Sequence, residues 1–421
     1  MRFRVTLVLA ALWALSGCSP SPVRLMPTPT LFTGGDPGLF LGETDADRDT
    51  TIEVLYATNR VPAGPPGAPD YTRQRGDPLR FGVATLQVGD GTKTWESLQE
   101  MSTSEVEGER PEIRLREVRE MAVLDDAADV PGPEVEAFFA QVDALLGRGG
   151  NRDILVYVHG ANTNFERAAG QAAQFQHFLG RDAVVMVFAW PSAGNVLRYR
   201  RDVATARQTE STFARLLQQL SARAQAAHLD VLAYSAGAMI ASPGLARAAG
   251  EVGRAADQGS LRLGEIYYAA PDIDFPVFVE NLSRYEGQVR RVTVAVNTSD
   301  SVLSFAQWIH RVSRAGRPNL AEIGPEETAW LVAASGRDEL DVLSIRPEDL
   351  PGLPATSHAF WYDHPWVSSD VLLKLLFQAP PPARGLDPNS NEIELAFWTF
   401  PADYAARLPA VARKLARGTD P

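Results

Sequence analysis

From residue 150 onward, short apolar runs alternate with longer stretches of helical periodicity. "DILVYVHG" (153–160) is hydrophobic at nearly every position, as a strand buried on both faces must be. "AVVMVFAWP" (183–191), "DVLAYS" (230–235), "EIYYAAPD" (265–272) and "RVTVAVNTSD" (291–300) repeat that signal. Helical patterns fill the intervals at about 164–179, 196–227, up to 250, 275–285 and 301–313. A weaker strand, "ELDVLSI" (339–345), precedes a loop and the helix "SSDVLLKLLFQ" (368–378). Such alternation implies right-handed βαβ crossovers and an α/β fold with a mostly parallel central sheet flanked by helices.

Upstream, "TIEVLYATNR" (51–60) and "LRFGVATLQVG" (79–89) read as strands joined by a polar, Pro/Gly-rich connection. Residues 19–50 are rich in Pro, Gly and acidic side chains without a sustained period, so they read as a flexible tether. Beyond the Pro-rich break at 379–383, the tail reads as one strand and a short helix. The expected division is therefore a leader at 1–18, a tether at 19–50, an α/β domain at 51–377 and a C-terminal extension at 378–421. There is no internal repeat and no coiled-coil pattern.

A length of 421 residues suits one large domain with extensions or two domains, and 45% hydrophobic residues suffice for a substantial core. A net charge of −12 argues against a nucleic-acid partner, and the local "RYRR" (198–201) reads as a solvated helix face. The start, "MRFRVTLVLAALWALSGCSP", has two arginines, an apolar run from Val5 to Leu15 and then small residues. That is signal-peptide order, and the run is short against the ~20 residues of a membrane span. "LSGC" (15–18) is similar to the lipobox of bacterial lipoproteins, which implies lipid attachment at Cys18, the only cysteine. An ordinary secretory signal cut elsewhere is the competing explanation. With the lipobox reading, the chain is expected in the bacterial cell envelope, anchored to a membrane and facing the periplasm or the exterior.

"AYSAG" (233–237) leaves an apolar strand, places Ser235 between small residues and starts a helix. It differs by one residue from the G-x-S-x-G nucleophile elbow, where bulk two residues before and after the serine is not tolerated. A helix N-cap serine is the structural alternative. A serine nucleophile needs a base, and the base needs an orienting acid, here expected in the order Ser, acid, His. Three histidines follow Ser235. His310 falls inside a helical pattern, whereas His358 sits in the loop after the last strand and is preferred, with His364 second. For the acid, Asp300 at the end of "RVTVAVNTSD" is preferred over Asp272; Asp274 reads as a helix N-cap. The oxyanion donors expected are the backbone N–H of Ala236 and that of Ala161 or Asn162 in the "HGAN" loop, with His159 as a structural strand-end residue. "WPSAG" (190–194) also holds a serine, Ser192, but Trp190 is too bulky for an elbow and Pro191 lacks an N–H donor.

In order, "VLYATNR", "VYVHGANTNF", "VFAWPSAG", "YRRDVATARQT", "AYSAGAM", "AAPDID", "NTSDSVL" and "SHAFWYDHPWVSSD" make the chain resemble a bacterial α/β-hydrolase family of the esterase/lipase superfamily, of unknown function. The resemblance spans about residues 51–377 and implies an α/β-hydrolase fold with Ser235, Asp300 and His358 as triad. That family's elbow also begins with Ala, but it more often carries His-Ser-Met-Gly where this chain has Tyr234-Ser235-Ala236-Gly237. No H-E-x-x-H, cysteine pair, P-loop or G-x-G-x-x-G follows any strand, so neither metal nor cofactor is expected. Two functions follow: a membrane-tethered serine hydrolase acting on a small-molecule ester or lipid, or a non-catalytic envelope lipoprotein using the same fold for binding or assembly.

Overall fold

The computed structural model describes residues 22–33, 49–104, 109–125, 132–180, 183–252, 261–337 and 339–418. The expected lipid site, Cys18, and the leader lie outside these residues, as does 34–48 of the expected tether.

The strands, in chain order, are β1 (Thr51–Ala63), β2 (Asp70–Val88), β3 (Ile113–Leu124), β4 (Ile154–Val158), β5 (Val184–Phe188), β6 (Leu229–Tyr234), β7 (Leu263–Ala269), β8 (Val289–Val296), β9 (Leu340–Ser344), β10 (Asp387–Ser390) and β11 (Ala396–Thr399). They form one 11-stranded sheet in the order β10-β11-β9-β8-β7-β6-β4-β5-β1-β2-β3. From β11 to β1 neighbouring strands run parallel, and β10, β2 and β3 add antiparallel edges. This is an α/β-hydrolase fold.

The period-2 alternation of side chains divides the buried strands between two cores. Ile154, Val156 and Val158 of β4 face one apolar cluster, shared with Phe213, Leu217 and Ile240 from the helices Tyr199–Arg223 and Ala238–Val252. Leu155 and Tyr157 face the other, shared with Phe175 and Trp361 and with Leu372 of the helix Pro365–Phe377. Both faces being covered explains why these strands are continuously hydrophobic.

Three regions depart from the sequence-based expectation. Residues 22–33 do not form a tether: Leu25, Met26, Leu31 and Phe32 are buried in the second cluster. Their amides are tied by Leu25 N–H to Pro111 O (2.9 Å) and Leu31 N–H to Ser369 Oγ (3.0 Å). The connection after β1 is a long two-stranded ribbon whose pairing continues to Ala63 opposite Asp70. The ribbon tip is largely exposed, so its residues lack the alternation that marks a half-buried strand. The C-terminal region is no appendage either. β10 and β11 extend the same sheet, and Arg384 is fully buried with its Nε 2.6 Å from Asp370 Oδ1 in the helix Pro365–Phe377.

The order β6-β4-β5 contains the reversal that shapes the site. From β4 the chain moves outward to β5 and then returns across β4 to lay down β6. The loops after β4 and β6 therefore leave adjacent strand ends in diverging directions, the topological switch point at which α/β sheets place their sites.

Candidate active site

β6 ends at Tyr234, and the next residue turns sharply. Ser235 has φ 52°, a left-handed conformation that is strained for any residue with a Cβ. A one-turn helix, Ser235–Gly237, leads directly into Ala238–Val252. The small neighbours are sterically required. A Cβ on Gly237 would lie 2.4 Å from the Val158 carbonyl oxygen, and one on Gly160 would lie 3.1 Å from Ser235 Cβ. Ala233, at the first elbow position, is fully buried.

Three distant segments converge on that turn. His358 Nε2 is 2.8 Å from Ser235 Oγ, and His358 Nδ1 is 2.6 Å from Asp300 Oδ2. The carboxylate can only accept, so Nδ1 carries the hydrogen and Nε2 is left to accept from the serine hydroxyl. Asp300 is fully buried and caps the helix Ser301–His310: its Oδ1 accepts from Val302 N–H (2.8 Å) and Leu303 N–H (3.0 Å). One oxygen is thus fixed by the helix terminus while the other is aimed at the imidazole. The loop carrying His358 is held by Asn297, whose Nδ2 donates to Ser357 O at 2.8 Å. The Tyr234 ring flanks the imidazole at 5.3 Å between centroids.

The competing side chains have other partners. Asp272 pairs with the buried Arg314 (2.6 Å) and accepts from Tyr199 Oη at 2.6 Å. Asp274 does precede a helix, Phe275–Tyr285, but its side chain makes no capping bond and pairs with Arg314 instead. His364 caps the helix Pro365–Phe377, and its Nε2 donates to Pro351 O (3.0 Å). Burial lowers the pKa of His364, and burial together with Arg314 lowers that of His310. His159 is stacked on Trp190 at 5.2 Å and contacts the carbonyls of Gly160 and Trp190. Burial, reinforced by Arg60, pushes its pKa down to about 3, so it is a neutral packing residue.

Ser192 has a structural role. Its Oγ donates to Asp202 Oδ2 (2.8 Å) and accepts from Thr163 N–H (3.2 Å). Asp202, in the first turn of Tyr199–Arg223, also accepts from Ala193 N–H at 2.6 Å and from Asn162 N–H at 3.1 Å. The Asn162 amide is thereby occupied, which removes it as an oxyanion donor and leaves Ala161 as the candidate on this loop. On the same loops Arg60 is fully buried and donates to four carbonyls: Thr72, Thr163, Ala189 and Trp190. Burial lowers its pKa to about 9, opposed by the charge of Asp202, so it remains cationic at neutral pH. Together Asp202 and Arg60 staple the loops after β4 and β5. Neither stands out in the sequence, because a charged residue in a strand-end or helix run ordinarily faces solvent.

Residues 136–345 match the family model described as alpha/beta hydrolase of unknown function (DUF900). The chain carries an α/β-hydrolase domain. The matched segment includes Ser235 and Asp300 and ends before the loop of His358. No curated protein matches the chain. Within the α/β-hydrolase domain the serine, the acid and the histidine come from the ends of β6 and β8 and from the loop after β9, in that chain order.

Proposed function

We propose that this protein is a serine hydrolase that cleaves carboxylic esters by acyl transfer. The observation that carries the reading is the hydrogen-bonded line Ser235–His358–Asp300, built on a serine at φ 52°. Ser235 Oγ attacks the ester carbonyl as His358 Nε2 takes its proton, and Asp300 holds the imidazole and stabilises its cationic form. The oxyanion is received by the Ala236 and Ala161 N–H groups. The leaving alcohol departs with the proton from His358, giving an acyl-serine. Water, deprotonated by the same imidazole, then releases the acid and restores the hydroxyl.

The substrate is a small-molecule ester or a lipid, and the enzyme is held to an envelope membrane through acylated Cys18. Hydrolysis of p-nitrophenyl esters of increasing acyl length tests the reading. Wild type is expected to turn over at least one chain length, and Ser235→Ala to fall to the buffer rate. Equal rates in both proteins would sink the proposal and favour a non-catalytic envelope lipoprotein.

A further inference from the structure

The helix Ser301–His310 has its polarity reversed on the outside. Its inner residues Leu303 and Ala306 are buried in the fold, as expected. Its outer stripe, at a spacing of three, is Val302, Phe305 and Trp308, exposed by 45%, 53% and 72%. Phe305 and Trp308 stack on each other at 6.0 Å. Leu197, exposed by 77%, stands on the neighbouring turn Val196–Arg198. That turn is held to the end of the helix through Tyr199 Oη and His310 Nε2 (3.4 Å). Three large apolar side chains in one exposed helical stripe are not the scattered surface hydrophobics of an ordinary fold.

The rim of this patch is basic in a chain of net charge −12. Arg198, Arg200, Arg201 and Arg311 are exposed, and among the described residues none of them makes an ion pair. Arg200 shares a surface cleft with Trp308 and Arg311. Asp272 and Asp274 both pair with Arg314, and neither makes an ion pair with a rim arginine. Aromatic and aliphatic side chains standing out of an arginine collar match a lipid interface, where rings settle at headgroup depth and guanidinium groups meet phosphates.

We propose that this face docks on the surface of an anionic phospholipid bilayer. The contact is independent of any N-terminal lipid. It also orients the molecule: Asp300 caps the docking helix, and Tyr199 bridges from the patch to Asp272, whose N–H donates to Ser235 O (3.0 Å). Ser235 is thereby tied to the docking face on two sides, through His358 to the cap of its helix and through Asp272 to Tyr199.

Every described element falls within residues 22–418, so a protein beginning at residue 19 retains all of them. Flotation of that protein, chemically unacylated, with vesicles of phosphatidylcholine alone and with added phosphatidylglycerol tests the proposal. Wild type is expected to float with the anionic vesicles, and less so in high salt. Phe305→Ser with Trp308→Ser is expected to weaken binding at least about tenfold. Arg200→Gln with Arg201→Gln is expected to lose about fivefold per arginine on anionic vesicles. Near-ultraviolet circular dichroism checks that each variant is folded. Ser235→Ala must float like wild type, so failure of the docking face and failure of the serine-hydrolase reading are seen separately. No flotation of folded wild type, or undiminished flotation of the aromatic variant, would overturn the proposal. So would a dimer dissolved by the same aromatic substitutions, since a second copy would then own the patch.

Discussion

At the scale of single residues, the central feature is a serine held where a glycine would be more comfortable. A left-handed backbone at Ser235 costs about 1–2 kcal/mol for a residue with a Cβ. Ser235→Gly is therefore expected to raise the thermal midpoint while abolishing ester hydrolysis, and Ser235→Ala to lose the activity without that gain. Calorimetry on the three proteins checks it; a glycine variant less stable than the alanine variant would mean the turn is not strained. His159 gives a second test. The folded protein binds its proton only near pH 3, whereas the unfolded chain binds it near its ordinary pKa of about 6.5. Between those values the unfolded state carries the extra proton, so this residue makes stability fall as pH drops below about 6.5. Above that pH it has no effect. Urea unfolding at pH 7 and pH 5 should show wild type losing about 2 kcal/mol more than His159→Gln. Equal losses would show that His159 is not the neutral buried ring described above.

Ser235, His358 and Asp300 were readable from sequence because each marks a strand end or the loop after one, and chain order restricts the choice. Asp202 was not readable, because its partners are backbone amides from two other loops.

At the scale of elements, loops rather than strands hold the proposed oxyanion donors, and Asp202 ties the Ala161–Asn162 loop to the loop after β5. Asp202→Ala frees Asn162, Ala193 and Ser192 together. The expected result is a fall in kcat of up to about 10²-fold with KM little changed, since a displaced donor costs more in the transition state than in the bound ester. Steady-state kinetics on a p-nitrophenyl ester measure the split, and a rise in KM alone would assign Asp202 to binding. The parallel strands β4 to β9 were legible because burial on both faces writes uninterrupted apolar runs. β3 was not, since only three of its 12 residues are buried and Arg114, Arg116, Glu117, Arg119 and Glu120 interrupt the apolar pattern of this edge strand. The same reasoning covers "RYRR", read as a solvated helix face. Its arginines are solvated, but only the fold reveals Trp308 beside Arg200.

At the scale of the whole molecule, segments near both ends of the described chain belong to the domain. Residues 22–33 and the helix Tyr404–Gly418 pack in the second core with Pro365–Phe377. Their partners are more than a hundred residues away in sequence for Met26, whose N–H bonds Gln174 Oε1, so no local pattern predicted the packing. A protein ending at residue 378 would strand Asp370 without Arg384 in a fully buried site. Leaving one partner of a buried pair costs about 3–5 kcal/mol, a large part of the stability of most domains. Truncation there should yield protein without a cooperative unfolding transition; a transition matching wild type would restore the C-terminal region to the status of an appendage.

The most direct measurement is labelling by a fluorophosphonate, which phosphonylates only serines whose hydroxyl is activated, with the modified peptide located by mass spectrometry. Wild type, Ser235→Ala, Ser192→Ala and His358→Ala would be compared, all verified as folded. The account predicts one modified residue, Ser235, with labelling retained in Ser192→Ala and lost in the other two variants. A folded wild type that takes up no label, or carries it on Ser192, would contradict it.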